Sequence, residues 1–358
     1  MSRHNKPDSP HTDVGPRVSI VTPTRNRLRY LKEAVASVRG QTFPDWEMLI
    51  VDDASEDQTV EWLASITDPR IKPVRMSEHS HRARARNTGL AAACGEFVIF
   101  LDDDDRLRSR SLEVLLGGLL RHDLAVGCGG AVVFDDHGQH RRMPHVRRRQ
   151  IRPLWPEILG GWIAGTGRVM FQTEALRDIG GWDESLISWQ DLELFWRASR
   201  RIGPIYMDPY VVREYRRHPD QWIPRDLWQA RRRLERSFVA SLPQQERDIG
   251  EGALRMQLLL EEAREMLHSR NEPERAMRLF LDAYRSAPAL SRSPMFRLGF
   301  VRGLTQATVA HVGGPRVNQM LESLRRELLR ILHRTPGHAF QFQRKIVDEP
   351  TVGYRAGD

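Results

Sequence analysis

Short apolar runs alternate with amphipathic helical segments over the first third of the chain, and this alternation constrains the fold more than any other feature. Strands are predicted at residues 18–21, 46–51 and 97–101, which are mostly apolar, and a short one at 71–75. Segments with apolar residues three or four positions apart occupy residues 28–38, 59–66 and 83–93. Strands that alternate with helices in this way predict an α/β fold, with a mostly parallel sheet and helices on both of its faces.

Polar side chains directly follow three of the predicted strands. Thr22 follows the first strand, and Asp52 and Asp53 follow the second. A run of four aspartates, residues 102–105, follows the strand at 97–101. Ligands of open α/β sheets bind outside the carboxyl ends of the strands. The sequence therefore predicts one acidic site at this edge of the sheet.

The pattern changes after the first third, where tryptophan and arginine become frequent. Seven of the nine tryptophans lie between Trp155 and Trp228. A strand is predicted at 168–172, followed by helices at 173–179 and 192–200.

Helical periodicity continues from residue 221 towards the C-terminus, so we predict a second, all-α domain over 221–358 and a chain that is loosely ordered from 337. An amphipathic helix is predicted at 317–332, and residues 1–16 form a polar, disordered lead-in. One group of apolar residues has the spacing of a tetratricopeptide-like hairpin, although an ordinary helical bundle fits it as well. These residues are Ala263, Leu267, Ala276, Phe280 and Ala283.

Composition limits the class of protein. The chain has 358 residues and a net charge of +8, with 51 arginines and only 4 lysines, which leaves nucleic acid, anionic membranes and phosphorylated substrates open as partners. No run approaches the ~18 apolar residues of a spanning helix, and the polar N-terminus predicts no secretory signal. Cys94 and Cys128 are too few for a disulfide framework, so a cytoplasmic setting is expected.

The aspartate run at 102–105 is the strongest chemical signal. Four adjacent carboxylates repel one another unless they are compensated, and the usual compensation is a hard cation such as Mg²⁺ or Mn²⁺ that also bridges substrate phosphates. A solvated acidic turn is the alternative. The chain has no phosphate-binding P-loop and no dinucleotide-binding glycine motif after a strand.

Several motifs, in order along the chain, resemble family 2 glycosyltransferases. They lie at residues 18–26, 41–42, 49–55, 85–89, 95–96, 101–105, 181–184, 189–197 and 215–218. The resemblance covers about 17–220 and leaves 221–358 unexplained. It implies an inverting enzyme of the GT-A fold that uses a nucleotide-diphospho-sugar, with a nucleotide-binding half at 17–124 and an acceptor half at 125–220.

The resemblance also implies roles for residues on the donor side. Thr22 and Asp53 would contact the nucleotide base, and Asp104 would lie near the ribose. A guanidinium matches the geometry of a phosphate, so three arginines are candidates for the diphosphate. They are Arg25, Arg27 and Arg84.

For the metal, the resemblance places Asp105 on the ion, with Asp102 in support and His218, in a C-terminal loop at 215–218, as a further ligand. The register is open by one position because Asp103 extends the run. If Asp105 is a surface residue, its replacement by Ala is expected to abolish transfer and leave the fold intact.

On the acceptor side the resemblance implies that Asp191 is the catalytic base, although a carboxylate here could also simply cap the helix that follows. The family has an acidic residue or glycine before this aspartate, and this chain has Gln190. Trp182 and Trp189 are candidates for stacking on an acceptor sugar and equally for packing. Trp196 is expected in the core.

Two alternatives to a metal-dependent glycosyltransferase stay open. The basic charge and the metal-type acidic site would also suit a nucleic-acid-binding or nucleotidyl-transfer protein, and a GT-A domain can act as a scaffold without catalysis. If the chain is a glycosyltransferase, the expected donor is a UDP-sugar, and the acceptor is a glycan, a lipid-linked saccharide, a peptide or a small molecule. The arginine-rich segment 141–152 is a candidate for peripheral contact with an anionic membrane, and the helical region for oligomerisation.

Overall fold

The structure is a computed structural model that describes residues 15–135, 140–143, 146–152, 165–218, 227–268 and 273–286. Several predicted features therefore lie outside the described residues. They are nearly all of the lead-in at 1–16, the tryptophan at 162, the helix at 317–332 and the tail from 337.

Ten strands and nine helices occur within these ranges. The strands are Val18–Thr24 (β1), Trp46–Asp52 (β2), Ile71–Arg75 (β3), Phe97–Phe100 (β4), Arg106–Leu107 (β5), Val126–Asp135 (β6), His140–Arg142 (β7), Gln150–Arg152 (β8), Val169–Gln172 (β9) and Ile205–Arg217 (β10). The helices are Leu28–Arg39 (α1), Thr59–Ala64 (α2), Arg82–Ala92 (α3), Ser111–His122 (α4), Thr173–Asp178 (α5), Gln190–Arg201 (α6), Leu227–Ser241 (α7), Gln244–His268 (α8) and Pro273–Ser286 (α9).

The strands form one mixed sheet in the order β3-β2-β1-β4-β9-β6-β10-β5, with β7 beside β6 and β8 beside β10. The predicted parallel sheet is found in β3, β2, β1 and β4, which are all parallel. The other half is mixed, because β9 runs antiparallel to both β4 and β6 while β6 and β10 pair in parallel. The two halves thus meet at β9 within one continuous sheet.

Strand β1 continues through Pro23, where the sequence predicted that it would stop. Proline lacks an N–H donor and is tolerated where no ladder bond is required. Strand β4 pairs with β1 only as far as Val21, so the missing N–H of Pro23 removes no bond to β4. The extension carries Thr24 to the edge of the sheet, opposite Asp52 of β2.

Apolar side chains fill both faces of the sheet. On one face, Ile20 and Met48 pack with the buried residues of α1 and α4. On the other, Val21 and Val51 pack with α3 and with Trp196 of α6. Because both faces are covered, the central strands are apolar at nearly every position, which is the reason that they read as continuous apolar runs.

The sequence did not predict β6 or β10, which pair in parallel through the middle of the second half. Residues 215–218 were expected in a loop. The expectation is wrong for 215–217, because β10 extends to Arg217 and only His218 follows it. This long strand carries arginines and His218 to the same sheet edge as the aspartate run.

The helical region packs against the sheet domain through α6. Phe238 of α7 stacks on Trp196 with ring centroids 4.7 Å apart, and Arg200 pairs with Glu246 of α8 at 3.2 Å. Helices α8 and α9 form one hairpin with Ala263 and Ala283 buried in it. The predicted boundary near residue 221 stays a prediction.

None of the helices described is long and apolar enough to cross a membrane.

Two adjacent glycines of α4 provide a test of the packing between α4 and β10. A Cβ atom on Gly118 would overlap the ring of Tyr206, whereas one on Gly117 meets nothing within 4 Å. We expect Gly118→Ala to lower the free energy of unfolding by about 1–3 kcal/mol. Gly117→Ala should raise it by about 0.5–1 kcal/mol, because alanine favours a helix. Urea unfolding measures the free energy of unfolding of both variants. Equal midpoints for the two variants would contradict this packing.

Candidate active site

The carboxyl ends of β1, β2 and β4 bring the predicted polar residues to one edge of the sheet. The aspartate run follows β4, and β10 brings Arg213, Arg216 and His218 to it. The first turn of α6 approaches from the acceptor half. The site is therefore assembled from both halves of the sheet.

Asp105 is fully buried in an ion pair. Its Oδ2 accepts a hydrogen bond from Arg213 Nε at 2.6 Å, and its Oδ1 accepts one from the backbone N–H of Arg216 at 2.9 Å. Gly167, with a φ of +74°, leaves room for the Arg213 side chain. Burial raises the pKa of Asp105, and the charge of Arg213 opposes the rise. Asp105 is not the surface residue that was expected, and metal ligation would require it to leave Arg213.

Asp104 is the member of the run that lies beside His218. Asp104 Oδ2 is 3.2 Å from His218 Nε2 and accepts a hydrogen bond from Arg27 at 2.8 Å. The His218 ring rests against Tyr30 of α1, with centroids 4.8 Å apart. Tyr30 therefore helps to fix the orientation of the imidazole towards Asp104.

Asp103 and Asp102 face different partners. Asp103 accepts a hydrogen bond from Thr24 Oγ1 at 2.8 Å, and its burial, together with Asp104, raises its pKa to about 7. Asp102 accepts from Arg86 and from the Thr166 hydroxyl, both at 2.6 Å. Although burial opposes it, the charge of Arg86 holds the pKa of Asp102 well below its ordinary range.

Arginine provides much of the compensation that the sequence assigned to a metal. Within the described ranges, no group of three or more His, Cys, Asp or Glu side chains is arranged to hold a metal ion. Mg²⁺ commonly takes one or two protein ligands and completes its shell with substrate phosphates. Asp104 and His218 fit that kind of site, and Arg27 would compete with the ion for Asp104.

The two residues predicted to contact the nucleotide base lie near the carboxyl ends of β1 and β2. Thr22 is buried in β1, and its hydroxyl has no hydrogen-bond partner among the described residues. Asp53 accepts a hydrogen bond from the backbone N–H of Ser80 at 2.8 Å, and His79 Nδ1 lies 2.7 Å from its other oxygen. Contact of Thr22 and Asp53 with a base stays a prediction.

The three arginines predicted for a diphosphate are in different surroundings. Arg27 lies on the aspartate run, as described above. Arg25 pairs with Glu56 at 3.8 Å and Arg84 with Glu78 at 3.6 Å, and both pairs are at the surface.

Asp191 lies in the first turn of α6 and is half-buried, with its Oδ1 accepting from the Leu192 N–H at 3.0 Å. The helix begins at Gln190, and its N-cap is Trp189 in a left-handed conformation, so Asp191 is not the capping residue. Burial raises the pKa of Asp191, and the charge of Arg86 opposes the rise.

The tryptophans of the acceptor half divide by burial. Of the two roles predicted for Trp182, packing is supported: only 3% of the residue is exposed, with Phe100 edge-on and Arg86 over its ring. Trp189 is half-buried, and Arg231 of α7 lies over its ring at 5.2 Å. Trp196 is in the core, as predicted.

Sequence reasoning missed Arg86, Arg213 and Arg216 as members of the site. Arg86 lies within the motif at 85–89 and Arg216 within the motif at 215–218. Arg213 lies in β10, the strand that leads to the second of these motifs. The available signal was charge: four clustered carboxylates require cations, and buried arginines are as suitable as a metal.

Comparisons with known proteins identify the sheet domain. Residues 19–179 match the model "Glycosyl transferase family 2". This part of the chain is therefore similar to family 2 glycosyltransferases. The putative teichuronic acid biosynthesis glycosyltransferase TuaG of Bacillus subtilis is 40% identical over 129 residues, which are 36% of this chain and 51% of that protein.

One further relative and one solved structure are also similar to this chain. The UDP-Glc:alpha-D-GlcNAc-diphosphoundecaprenol beta-1,3-glucosyltransferase WfgD of Escherichia coli is 32% identical over 120 residues, 34% of this chain and 47% of that protein. The chain thus spans about half the length of TuaG and about half the length of WfgD. The crystal structure of S. aureus TarS 1–349 in complex with UDP-GlcNAc matches with a TM-score of 0.56 and 19% identity, over 82% of this chain and 90% of that one. The fold is therefore GT-A, as the sequence predicted.

The burial of Asp105 gives a prediction for stability without any ligand. Asp105→Ala leaves the buried Arg213 with only its longer contact to Asp102 at 3.6 Å, and breaking a buried pair costs about 3–5 kcal/mol. Asp104→Ala should cost only about 1 kcal/mol, because its partner Arg27 is partly exposed. Urea unfolding of the two variants compares them. An Asp105→Ala protein as stable as the wild type would show that the pair with Arg213 is not structural.

Proposed function

We propose that the chain is an inverting glycosyltransferase that moves a sugar from a nucleotide-diphospho-sugar to an acceptor hydroxyl. One observation carries the proposal. Arg86 contacts Asp102 in the aspartate run and Gln190 at the start of α6, so the donor edge of the sheet and Asp191 belong to one connected site. The match of residues 19–179, which include Arg86 and Asp102, to the glycosyltransferase family model supports this assignment.

The reaction requires a base beside the acceptor and a stabilised leaving group. Asp191 accepts the proton of the attacking hydroxyl, and its raised pKa suits a base that works closer to neutral pH. The diphosphate leaves on the opposite face of the sugar, where Arg27 lies with Asp104 and His218. An in-line attack of this kind inverts the anomeric carbon.

Asp104 and His218 would hold a Mn²⁺ or Mg²⁺ ion together with the diphosphate oxygens. When bound, the ion supplies positive charge to the leaving diphosphate. Arg27 contributes charge to the same place from the protein, and Tyr30 holds the His218 ring.

A UDP-sugar is the proposed donor. The relatives support it, because WfgD is named for UDP-Glc and the TarS structure contains UDP-GlcNAc. In this chain Asp53, with Ser80 and His79 bound to it, would define the base subsite.

A lipid-linked saccharide is the proposed acceptor class, since the name of WfgD specifies a diphosphoundecaprenol substrate. The exposed Arg147 and Arg148 would attract an anionic membrane surface or the acceptor diphosphate. Arg149 contributes less, because it pairs with the buried Asp208 at 2.8 Å.

Replacement of the base tests the reaction directly. Asp191→Asn should lower kcat by roughly 10²-fold and leave the affinity for UDP unchanged. In the wild type, a base must lose its proton before it acts, so kcat/KM should rise with pH through the raised pKa. The rise should therefore lie above the ordinary aspartate pKa of about 3.9. A fall of donor affinity in step with kcat would instead make Asp191 a binding residue.

Metal dependence is tested by thermal unfolding with UDP. UDP with Mn²⁺ should raise the Tm by several degrees, because a ligand at 100 times its Kd stabilises by about 2.7 kcal/mol. Asp104→Asn and His218→Ala should lose the Mn²⁺-dependent part of the shift, whereas the exposed His122→Ala should keep it. A shift with UDP that is equally large in Mn²⁺ and in EDTA would exclude the metal. A shift with oligonucleotides and none with UDP would favour the nucleic-acid alternative.

A further inference from the structure

Two adjacent residues of α3, Arg86 and Asn87, hold the segment that leads into the helix of Asp191. Asn87 brackets the backbone of Trp182: its side-chain oxygen accepts from the Trp182 N–H and its amide donates to the Trp182 carbonyl, both at 2.8 Å. Gly181 permits this approach, because a Cβ there would lie 2.6 Å from the Asn87 oxygen. The start of segment 181–190 is thereby fixed to α3.

Arg86 holds the other end of the same segment. Its Nη1 donates to Gln190 Oε1 at 3.0 Å and its Nη2 donates to Asp102 Oδ1 at 2.6 Å. The guanidinium also covers the Trp182 ring at 4.5 Å. Arg86 and Gln190 are both buried, so no water replaces this bond easily.

Gln190 is the residue immediately before Asp191. Its amide nitrogen donates to the Leu186 carbonyl at 2.6 Å, while its oxygen accepts from Arg86. The N-cap, Trp189, is held in a left-handed conformation with a φ of +61°, which is an unfavourable conformation for a bulky residue and needs support from its surroundings. The bond from Arg86 to Gln190 is support of this kind.

We propose that Arg86 and Gln190 are positioning residues, which set the distance of Asp191 from the donor edge of the sheet. Asp102 anchors the Arg86 guanidinium on the donor side, and Gln190 transmits that position to the first turn of α6. A misplacement of about 1 Å can lower a rate by up to 10²-fold, so a short chain of two bonds is enough to affect catalysis. The role in catalysis rests on the proposed function, whereas the contact itself does not.

The test compares two changes at Gln190. Gln190→Met keeps the volume and loses the bonds to Arg86 and Leu186, while Gln190→Glu loses the bond to Leu186 but keeps an acceptor for Arg86. We expect kcat to fall about tenfold in Gln190→Met with the KM for the donor unchanged, and to stay within about threefold of wild type in Gln190→Glu. Gln172→Met, at an exposed glutamine, is the matched control and should be neutral.

A double-mutant cycle asks whether Arg86 acts through Gln190. Arg86→Lys keeps the charge but loses the simultaneous hydrogen bonds to Asp102 and Gln190. This variant should therefore have a lower kcat. The double variant Arg86→Lys with Gln190→Met should be no slower than the slower single variant, because both changes break one chain of contacts. Losses that multiply, or a Gln190→Met enzyme with wild-type kcat, would overturn the proposal.

Hydrogen exchange separates this inference from the proposed function. In protein without ligand, Gln190→Met should increase exchange of the amides in residues 186–193, and Gln172→Met should not. Absence of transfer by the wild type would refute the function and leave the exchange result as the test of the contact. Unchanged exchange in Gln190→Met would refute the contact even if transfer is observed.

Discussion

The site depends on the compensation of four adjacent carboxylates by arginines. Asp105 is enclosed with Arg213, and Asp102 is held by Arg86. Uncompensated, these charges would repel one another and oppose folding. The arginines come from the N-cap of α1, from α3 and from β10, so the compensation also ties together elements that are distant in the chain. The same set of contacts therefore determines both the stability of the fold and the geometry of the site.

This arrangement gives the members of the run different tasks. Asp105 is fully buried against Arg213, and Asp102 accepts a hydrogen bond from Arg86. Asp104 is left beside His218 and Arg27, where a diphosphate and its cation would lie. Adjacent and chemically identical residues thus differ in function because successive positions after a strand face different neighbours.

The second half of the sheet and the helices act on the site through α6. Its first turn is held from the donor side by Arg86 and Gln190. Its C-terminal half packs on α7 and α8 through Trp196 and Arg200. The helix that carries Asp191 is thus fixed along its length.

The sequence by itself determined the α/β class, the parallel half of the sheet and the edge at which the site lies. These follow from local periodicity and from the polar residues that end apolar strands. Tertiary structure decided the rest. The strands β6 and β10, the burial of Asp105 and the bond of Arg86 to Gln190 join residues up to 111 positions apart. No local pattern specifies such pairings, because they are set by how the elements pack.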